Sequence, residues 1–127
     1  MNTIFVFEDS SQSFFGGGQK ITLYVCKILS DKYQIFIFDY TDNSIFNQSI
    51  QKFTNNVFLL KKEEKNIFNF FKNLFFIYKS TKKFKKKLFY CTTNRGLVYG
   101  WIFSFMNIKY VYHAHLVRYK YLLKLFT

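Results

Sequence analysis

Two histidines stand close together at the end of an apolar run, where a side chain able to take or give a proton is useful. His113 and His115 are the only histidines in the chain. A histidine at the carboxyl end of a strand can act as a general base, or donate a hydrogen bond to a sugar or phosphate. If the strand continues through both residues, the two rings share a face; if it ends between them, sequence does not fix their directions. We therefore take one of the pair as a candidate catalytic residue and the other as structural.

Three consecutive glycines form a second candidate site. Gly16, Gly17 and Gly18 follow the first apolar run, in a chain with five glycines in all. Glycines between a strand and a helix let the backbone approach a ligand closely, and the helix start behind them offers N–H groups to an anion. The segment lacks the Gly-Lys-Ser/Thr of a phosphate loop, and Lys20 or Ile21 replaces the third glycine of the dinucleotide fingerprint. Two interpretations stay open: an anion-binding turn and a tight turn without a ligand.

The remaining reactive side chains show no catalytic or metal-binding pattern. Asp39 follows an apolar run and suits either a hydroxyl-bearing ligand or a turn. Cys26 and Cys91 are far apart and lack the spacing of a zinc site or a disulfide framework, so we expect two buried thiols in a reducing compartment. No Ser-His-Asp set or paired carboxylate motif is present. We therefore predict neither a metal nor another cofactor.

Strands and helices that alternate along the chain would position these residues. The apolar patterns predict strands at 3–7, 33–38, 57–60, 88–92 and 109–113, helices at 21–29, 65–80, 94–106 and 118–126, and a polar loop at 41–56. This alternation implies an α/β fold, with a Rossmann-like parallel sheet and helices on both faces. Ligands bind outside the carboxyl ends of the strands in such sheets. The glycines, Asp39, residues 92–96 and the histidines all fall there.

The formal net charge of +12 suits an anionic partner, although residues with AT-rich codons dominate the chain and base composition explains the lysines equally well. With only two arginines and no known recognition motif, we expect no nucleic-acid partner. The N-terminus has no basic segment of the kind that begins a signal peptide. The apolar runs fall short of the ~20 residues that span a bilayer. We therefore expect an intracellular protein.

The helix at 65–80 is predicted to be amphipathic, with one apolar face for the core and one cationic face. The expected core face holds Ile67, Phe70, Phe71, Leu74, Ile77 and Tyr78, and the cationic face holds Lys65, Asn69, Lys72, Asn73, Phe76 and Lys79. Lysines with interleaved aromatic residues suit an anionic lipid surface. The candidate membrane-surface residues are Lys72, Phe76, Lys79, Lys83 and Lys86. A solvated lysine face is the equal alternative.

The order of these segments resembles the N-terminal half of retaining glycosyltransferases with the two-domain GT-B fold, in the family of bacterial polysaccharide and lipid glycosyltransferases often called family 4. The resemblance covers residues 4 to about 117. It is carried by a strand followed by FFGGGQKITLYVCKILSDKYQIFIFDY, then FYCTTNRGLVYGW, then KYVYHAHLV.

The resemblance implies transfer of a sugar from a nucleotide-sugar donor to a saccharide or lipid-linked acceptor, in cell-surface polysaccharide synthesis. The glycines at 16–18 would lie near the donor diphosphate and the acceptor, and His115 would contact the transferred sugar, with His113 as the alternative register. Thr93, Asn94 and Gly96 would line the acceptor side. The family needs no bound metal. Many members of the family lie on the cytoplasmic face of the membrane. The resemblance therefore implies a cytoplasmic protein that is peripheral on the inner face of the membrane.

The sequence departs from the family in one major respect. The family's second domain carries a Glu-x7-Glu motif, whereas Phe71 and Lys72 stand eight positions after Glu63 and Glu64. We therefore expect residues 1–127 to form a C-terminally incomplete acceptor-side domain without a donor-binding domain, and to transfer no sugar alone. The alternative from a different class is a stand-alone basic module that binds a membrane surface or partners a separate donor-binding subunit.

Overall fold

A computed structural model describes residues 2–10, 15–54 and 56–113 and places them in a five-stranded parallel sheet with helices on both faces. The predicted α/β, Rossmann-like fold is therefore confirmed. The elements in chain order are β1 (Thr3–Phe7), α1 (Gly17–Leu29), β2 (Gln34–Asp39), α2 (Ile45–Ile50), β3 (Asn56–Leu59), α3 (Ile67–Thr81), β4 (Lys87–Cys91), α4 (Asn94–Ser104) and β5 (Lys109–Tyr112). The helix predicted at 118–126 lies outside the described residues.

The strand order creates a crevice at the centre of the sheet. The strands lie in the order β3-β2-β1-β4-β5, and every neighbouring pair is parallel. Every residue of β1 is buried, because helices cover both faces, and this explains its lack of polar alternation. The chain winds outward from β1 to β3 and then restarts at β4 on the other side. The carboxyl ends of β1 and β4 therefore form the switch point where such sheets bind ligands.

Successive residues of each strand divide the core into two layers. On one face, a layer of phenylalanines from β1, β2 and β4 packs against α3 and α4; it includes Phe5, Phe7, Phe38, Phe89, Ile77, Tyr99 and Phe103. On the other face, aliphatic strand residues pack against α1 and α2; they and their helical partners include Ile4, Val6, Ile35, Ile37, Cys26, Phe46 and Ile50. The two helix pairs thus lie on opposite sides of the sheet.

The prediction of a loop at 41–56 was wrong, because this segment contains α2. Ser44 caps the helix, its Oγ accepting a hydrogen bond from the backbone N–H of Asn47 at 3.1 Å. Phe46 and Ile50 lie one turn apart, and both are fully buried against the sheet. The polar composition of the segment concealed this apolar pair.

The predicted faces of α3 were wrong at several positions. Ile67, Phe71 and Tyr78 were assigned to the core but are exposed. Asn73 was assigned to the cationic face but is buried, because its side chain accepts from the backbone N–H of Lys61 at 2.8 Å and donates to the same residue's carbonyl at 2.6 Å. A buried amide with satisfied hydrogen bonds has no signature in a hydrophobic pattern, so the helix could not be oriented correctly.

Two further sequence expectations concern the membrane and the cysteines. Across the part of the chain that the structure describes, no helix is both long and apolar enough to cross a bilayer. Cys26 and Cys91 are buried free thiols. Burial raises the pKa of each thiol to about 12, so both remain protonated at neutral pH.

Candidate functional site

Backbone hydrogen bonds hold together the segments that follow the strands, along the carboxyl edge of the sheet. Glu8, directly after β1, donates its N–H to the carbonyl of Phe38 at 2.9 Å. Thr92, after β4, donates to the carbonyl of Phe7 at 3.2 Å, and His113, after β5, donates to that of Cys91 at 2.9 Å. The carboxyl edge therefore gathers the segments expected there. His115 lies outside the described residues, so its contact with a sugar stays a prediction.

The glycines form the start of α1 rather than a strained turn. Gly16 is the N-cap residue with φ −86° and ψ 177°, which any residue can adopt, and no glycine among the described residues has a positive φ. Within the part of the chain that the structure describes, no side chain caps the helix, and a Cβ added at Gly17 would meet nothing within 4 Å. The N–H groups of the first turn are therefore not served by a capping side chain of the described residues.

Glu8 is a buried carboxyl at the switch point that the sequence did not single out. Its Oε2 is bonded to the hydroxyls of Thr22 on α1, at 3.1 Å, and Thr92 after β4, at 2.8 Å. Its Oε1 accepts from the backbone N–H of Asp9 at 3.2 Å. Burial raises the pKa of Glu8, and the hydrogen bonds oppose this in part. Glu8 therefore ties α1 to the ends of β1 and β4.

Asp39 is a structural residue of the same edge. Its Oδ1 accepts from the backbone N–H groups of Ser10, at 2.9 Å, and Tyr40, at 2.7 Å, and its Oδ2 accepts from the hydroxyl of Ser10. Burial raises the pKa of Asp39, and these hydrogen bonds partly compensate. The contacts match the turn-forming interpretation of Asp39, since its oxygens are occupied within the protein.

His113 is held by a neighbouring phenol. The hydroxyl of Tyr90 lies 2.6 Å from Nδ1 of His113, and the two rings meet edge to face. Burial raises the pKa of Tyr90 to about 12, so the phenol stays protonated at neutral pH. This contact fixes the imidazole at the sheet edge, and the roles of the two histidines stay predictions.

The residues predicted to line the acceptor side surround the start of α4. Thr93 is its N-cap, and its Oγ1 accepts from the backbone N–H of Gly96 at 3.1 Å. Asn94 is exposed, and its Oδ1 accepts from the hydroxyl of Tyr112 at 2.7 Å. Gly96 is buried, and a Cβ there would lie 2.7 Å from Cβ of Phe7. The structure thus shows local structural contacts for all three, and their ligand roles stay predictions.

Glu63, between β3 and α3, is the centre of a hydrogen-bonded cluster. Its Oε1 accepts from the hydroxyl of Tyr40 at 2.5 Å, from Nδ2 of Asn73 at 3.0 Å, and from the hydroxyl of Tyr99. Burial, followed by the bond to Glu63, raises the pKa of both phenols, so they remain donors. The other carboxylate oxygen, Oε2, is buried and has no hydrogen-bond partner among residues 2–10, 15–54 and 56–113.

Arg95, near the start of α4, faces this cluster. Its Nη2 lies 2.6 Å from Glu64, and its Nη1 lies 3.7 Å from Asp9 and 3.8 Å from Glu63. The guanidinium also covers the ring of Tyr40, with 5.5 Å between Cζ and the ring centroid. The hydrogen bond with Glu64 raises the pKa of Arg95 and lowers that of Glu64. One cation thus faces three carboxylates.

A pocket of about 270 Å³ opens beside this ion-pair cluster. It is lined by Glu63, Glu64, Phe70, Arg95, Val98 and Tyr99. Acidic residues concentrate along this edge, where Lys61, Lys62 and Lys65 also lie. Six of the seven acidic residues follow the ends of β1, β2 and β3, or close β2: Glu8, Asp9, Asp39, Asp42, Glu63 and Glu64. This concentration along the predicted edge was the sequence signal that could have identified the pocket.

The five candidate membrane-surface residues are all exposed: Lys72, Phe76, Lys79, Lys83 and Lys86. Phe76, at 37% exposed, also packs edge to face on Phe38 and Phe58, with centroid distances of 6.2 and 5.8 Å. Phe76 therefore lies at the surface as predicted, although part of its ring rests on the sheet. Binding of these residues to a membrane stays a prediction.

The architecture matches a solved structure. Anabaena Alr3699/HepE, crystallised in complex with UDP, aligns with 94% of this chain at a TM-score of 0.67 and 20% sequence identity. This chain shares its fold with part of UDP-bound HepE. The resemblance inferred from the order of segments is confirmed at the level of the fold. The chain spans 31% of the length of HepE. No protein-family profile and no curated protein sequence matches it.

Proposed function

We propose that this chain forms the acceptor-side domain of a glycosyltransferase that moves a sugar from a nucleotide-sugar donor to a saccharide or lipid-linked acceptor. One observation supports this most directly. The glycine start of α1, which no side chain of the described residues caps, lies at the switch point of a fold shared with UDP-bound HepE. Transfer by the 127 residues alone is not expected, because the donor also needs a second domain.

The chemistry of the edge assigns different parts of it to the two substrates. The N–H groups at the start of α1, with the exposed Lys20 in its first turn, suit the donor diphosphate. The acidic residues that follow β2 and β3 repel a diphosphate, and that part of the edge is left for the acceptor. In this arrangement the transferred sugar lies between the donor diphosphate and the acceptor, and His113 or His115 contacts it there. Thr93 and Asn94 border the acceptor.

Replacing Gly17 by alanine is expected to weaken UDP binding at least about tenfold, because a methyl group obstructs the approach of a phosphate to the backbone N–H groups. The fold should be unaffected, since a Cβ at this position meets no protein atom within 4 Å. We would titrate isotope-labelled protein with UDP and follow the backbone amide NMR signals of residues 16–20.

Ile21→Ala is the matched control, because Ile21 is exposed on the same helix just beyond its first turn. This variant should bind UDP as the parent does, and uridine without phosphate should leave the signals of residues 16–20 unchanged. The proposal fails if UDP perturbs none of these amides, or if Gly17→Ala and the parent bind UDP equally.

A second candidate function is binding to an anionic membrane surface, alone or as part of the same enzyme. Phe68, Phe71 and Phe75 form an outward stripe on α3 and are 73%, 57% and 61% exposed. Lys72 and Lys79 flank the stripe, and Nζ of Lys79 lies 4.8 Å from the ring centroid of Phe75. Exposed aromatic rings beside lysines are the composition that binds at a lipid interface. This stripe joins Phe76 in the apolar part of the proposed surface.

The double substitution Lys72→Ala and Lys79→Ala should lower partitioning onto phosphatidylglycerol vesicles about 30-fold, since each lysine near an anionic surface contributes about 1 kcal/mol. Vesicle sedimentation at low salt measures this. Substitution of Lys27 and Lys32 by alanine removes equal charge near the end of α1, on the opposite face of the sheet, and should have little effect. Equal losses from both pairs, or binding that resists high salt, would exclude a specific membrane face.

A further inference from the structure

The pocket beside Arg95 has the composition of a saccharide site. Phe70 and Tyr99 stack with 5.5 Å between ring centroids and 19° between planes, and together with Val98 they provide an apolar wall for the C–H groups of a sugar ring. Glu63, Glu64 and Arg95 supply hydrogen-bond acceptors and donors on the other side. The volume of about 270 Å³ lies just below the roughly 300–1,000 Å³ of sites for drug-sized ligands. A single sugar ring is the ligand of matching size.

One polar atom of the pocket lacks a hydrogen bond from any described residue. Oε2 of Glu63 is sheltered from solvent, and its ion-pair partner Nη1 of Arg95, at 3.8 Å, is too distant for a hydrogen bond. An unsatisfied buried carboxylate oxygen is costly, and it is rare in folded proteins unless a ligand or water serves it. The Glu63 side chain is 16% exposed, and the Arg95 side chain that faces it is 34% exposed, so solvent reaches the edge of this contact. A hydroxyl donor entering the pocket would supply the missing hydrogen bond.

The charges lining the pocket select among sugars. Two carboxylates, Glu63 and Glu64, face one guanidinium, Arg95, which both already engage. Asp9 and the exposed Lys62 lie nearby and have opposite signs. The pocket therefore has a net negative charge, in a chain with a formal charge of +12. An acidic sugar would have to compete with Glu64 for Arg95, whereas a neutral or amino-bearing sugar meets no such conflict.

We propose that this pocket binds one neutral or amino-bearing sugar ring of the acceptor and discriminates against acidic sugars. Glu63 accepts hydrogen bonds from the ring hydroxyls, Arg95 donates to them, and Phe70 contacts the apolar face of the ring. The inference rests on the proposed acceptor-side role, and it adds the class of acceptor to that role.

Methyl glycosides of glucose, galactose, mannose, glucosamine and glucuronic acid are suitable probes, with the backbone amide NMR signals of Val98 and Tyr99 as the readout. At least one neutral glycoside should perturb these signals at low salt. The glucosamine derivative should bind about fivefold more tightly than the glucose derivative, and the glucuronic acid derivative about fivefold more weakly, as expected for one net charge a few ångströms away in water. High salt should reduce both differences.

Val98→Trp should abolish binding by filling the pocket, because Val98 lines it from an exposed helical position. Ile28→Trp places the same side chain on the exposed surface of α1, on the other face of the sheet, and should bind sugars as the parent does. Glu64→Gln makes the lining neutral without touching the buried cluster, so it should remove both fivefold differences.

The inference is wrong if no glycoside perturbs the pocket, if Val98→Trp binds as well as Ile28→Trp, or if the acidic glycoside binds as tightly as the neutral ones. Its failure is separable from that of the proposed function. Sugar binding without any effect of UDP at residues 16–20 would leave a saccharide pocket and remove the glycosyltransferase assignment. UDP binding without sugar binding would keep the glycosyltransferase assignment and remove the saccharide pocket.

Discussion

Replacing Gly96 by alanine should destabilise the protein by about 2 kcal/mol, the usual cost of forcing an extra methyl group into a packed core. The new Cβ would lie 2.7 Å from Cβ of Phe7 and 3.3 Å from Oγ1 of Thr93. Neither atom can retreat easily, since Phe7 ends the central strand and Thr93 caps α4. The higher helix propensity of alanine returns only about 1 kcal/mol, so the helix must move away from the sheet. Urea unfolding of the parent and variant measures the difference.

Gly17→Ala is the matched control for this substitution. The two glycines both lie in the first turns of helices, but a Cβ at Gly17 meets nothing within 4 Å. This variant should therefore lose no stability and should gain up to about 1 kcal/mol. If Gly96→Ala is as stable as Gly17→Ala, α4 does not pack on β1 as closely as described. A loss in Gly96→Ala alone shows that close helix–sheet contact is a sufficient reason for glycine at position 96.

The glycines show what the sequence could and could not establish. Their clustering at 16–18 predicted a strand-to-helix connection at the carboxyl end of β1, but the helix was expected from residue 21 and begins at Gly17. Gly96 and Gly100 looked no different, yet a Cβ at Gly100 would lie 2.8 Å from Sγ of Cys91. Whether a glycine leaves space for a ligand or for a neighbouring strand depends on tertiary packing. Residue type alone does not contain that distinction.

The strands and their alternation with helices were predictable, and the side of α3 that faces the core was not. β1 and β4 are continuous apolar runs flanked by helices, so their pattern has one good interpretation. Apolar residues occur on every side of α3, and polar contacts decide which side is buried. Asn73 is drawn inward by its hydrogen bonds to Lys61 and Glu63, and this leaves Phe71 and Phe75 outside. Hydrogen bonds to residues outside the helix leave no periodic pattern in its sequence, so periodicity could not predict which side of α3 is buried.

The candidate pocket was missed for a related reason. Glu63 and Glu64 match no motif in the sequence, and Arg95 carries no signal beyond its place in the segment 92–96. Their significance comes from the sheet topology, which places the β3–α3 and β4–α4 connections at the same edge. The fold assignment therefore contained the information needed to combine them, because segments that follow parallel strands meet at their carboxyl ends.

Glu8→Gln should preserve stability at neutral pH, whereas Glu8→Ala should lose about 3 kcal/mol. The hydroxyl of Thr22 lies 3.1 Å from both Oε2 of Glu8 and the carbonyl of Gly18. The hydroxyl of Thr92 lies 2.8 Å from both Oε2 of Glu8 and the carbonyl of Phe7. Each hydroxyl has one proton, so two protons face three acceptor oxygens in four contacts while Glu8 is ionised. A glutamine amide group at Oε2 donates to both hydroxyls and frees their protons for the carbonyls.

The contribution of Glu8 to the free energy of unfolding depends on pH, because protonation of Glu8 adds a donor to this group of acceptors. Burial raises its pKa above the ordinary 4.5, so the folded protein holds this proton more tightly than the unfolded chain. The stabilisation is complete below the unfolded pKa and is lost as the pH rises through the folded pKa. A difference of one pKa unit between the two states is worth about 1.4 kcal/mol. The stability of Glu8→Gln relative to the parent should therefore increase as the pH is raised from below 4.5 toward neutrality.

Urea unfolding of the parent, Glu8→Gln and Glu8→Ala over this pH range tests the argument. Taking the difference between parent and Glu8→Gln at each pH cancels the contributions of Asp9 and Asp39, whose pKa values burial also raises. Glu64→Gln is a control for which the opposite pH dependence of stability is expected, because the bond to Arg95 lowers the pKa of Glu64. If Glu8→Gln is as unstable as Glu8→Ala at neutral pH, Glu8 acts as a carboxylate, and the two threonines must donate to it. A stable Glu8→Gln instead means that the switch point is held by a neutral hydrogen-bonded group, which leaves the N–H groups of α1 beside it to attract an anion without opposition from Glu8.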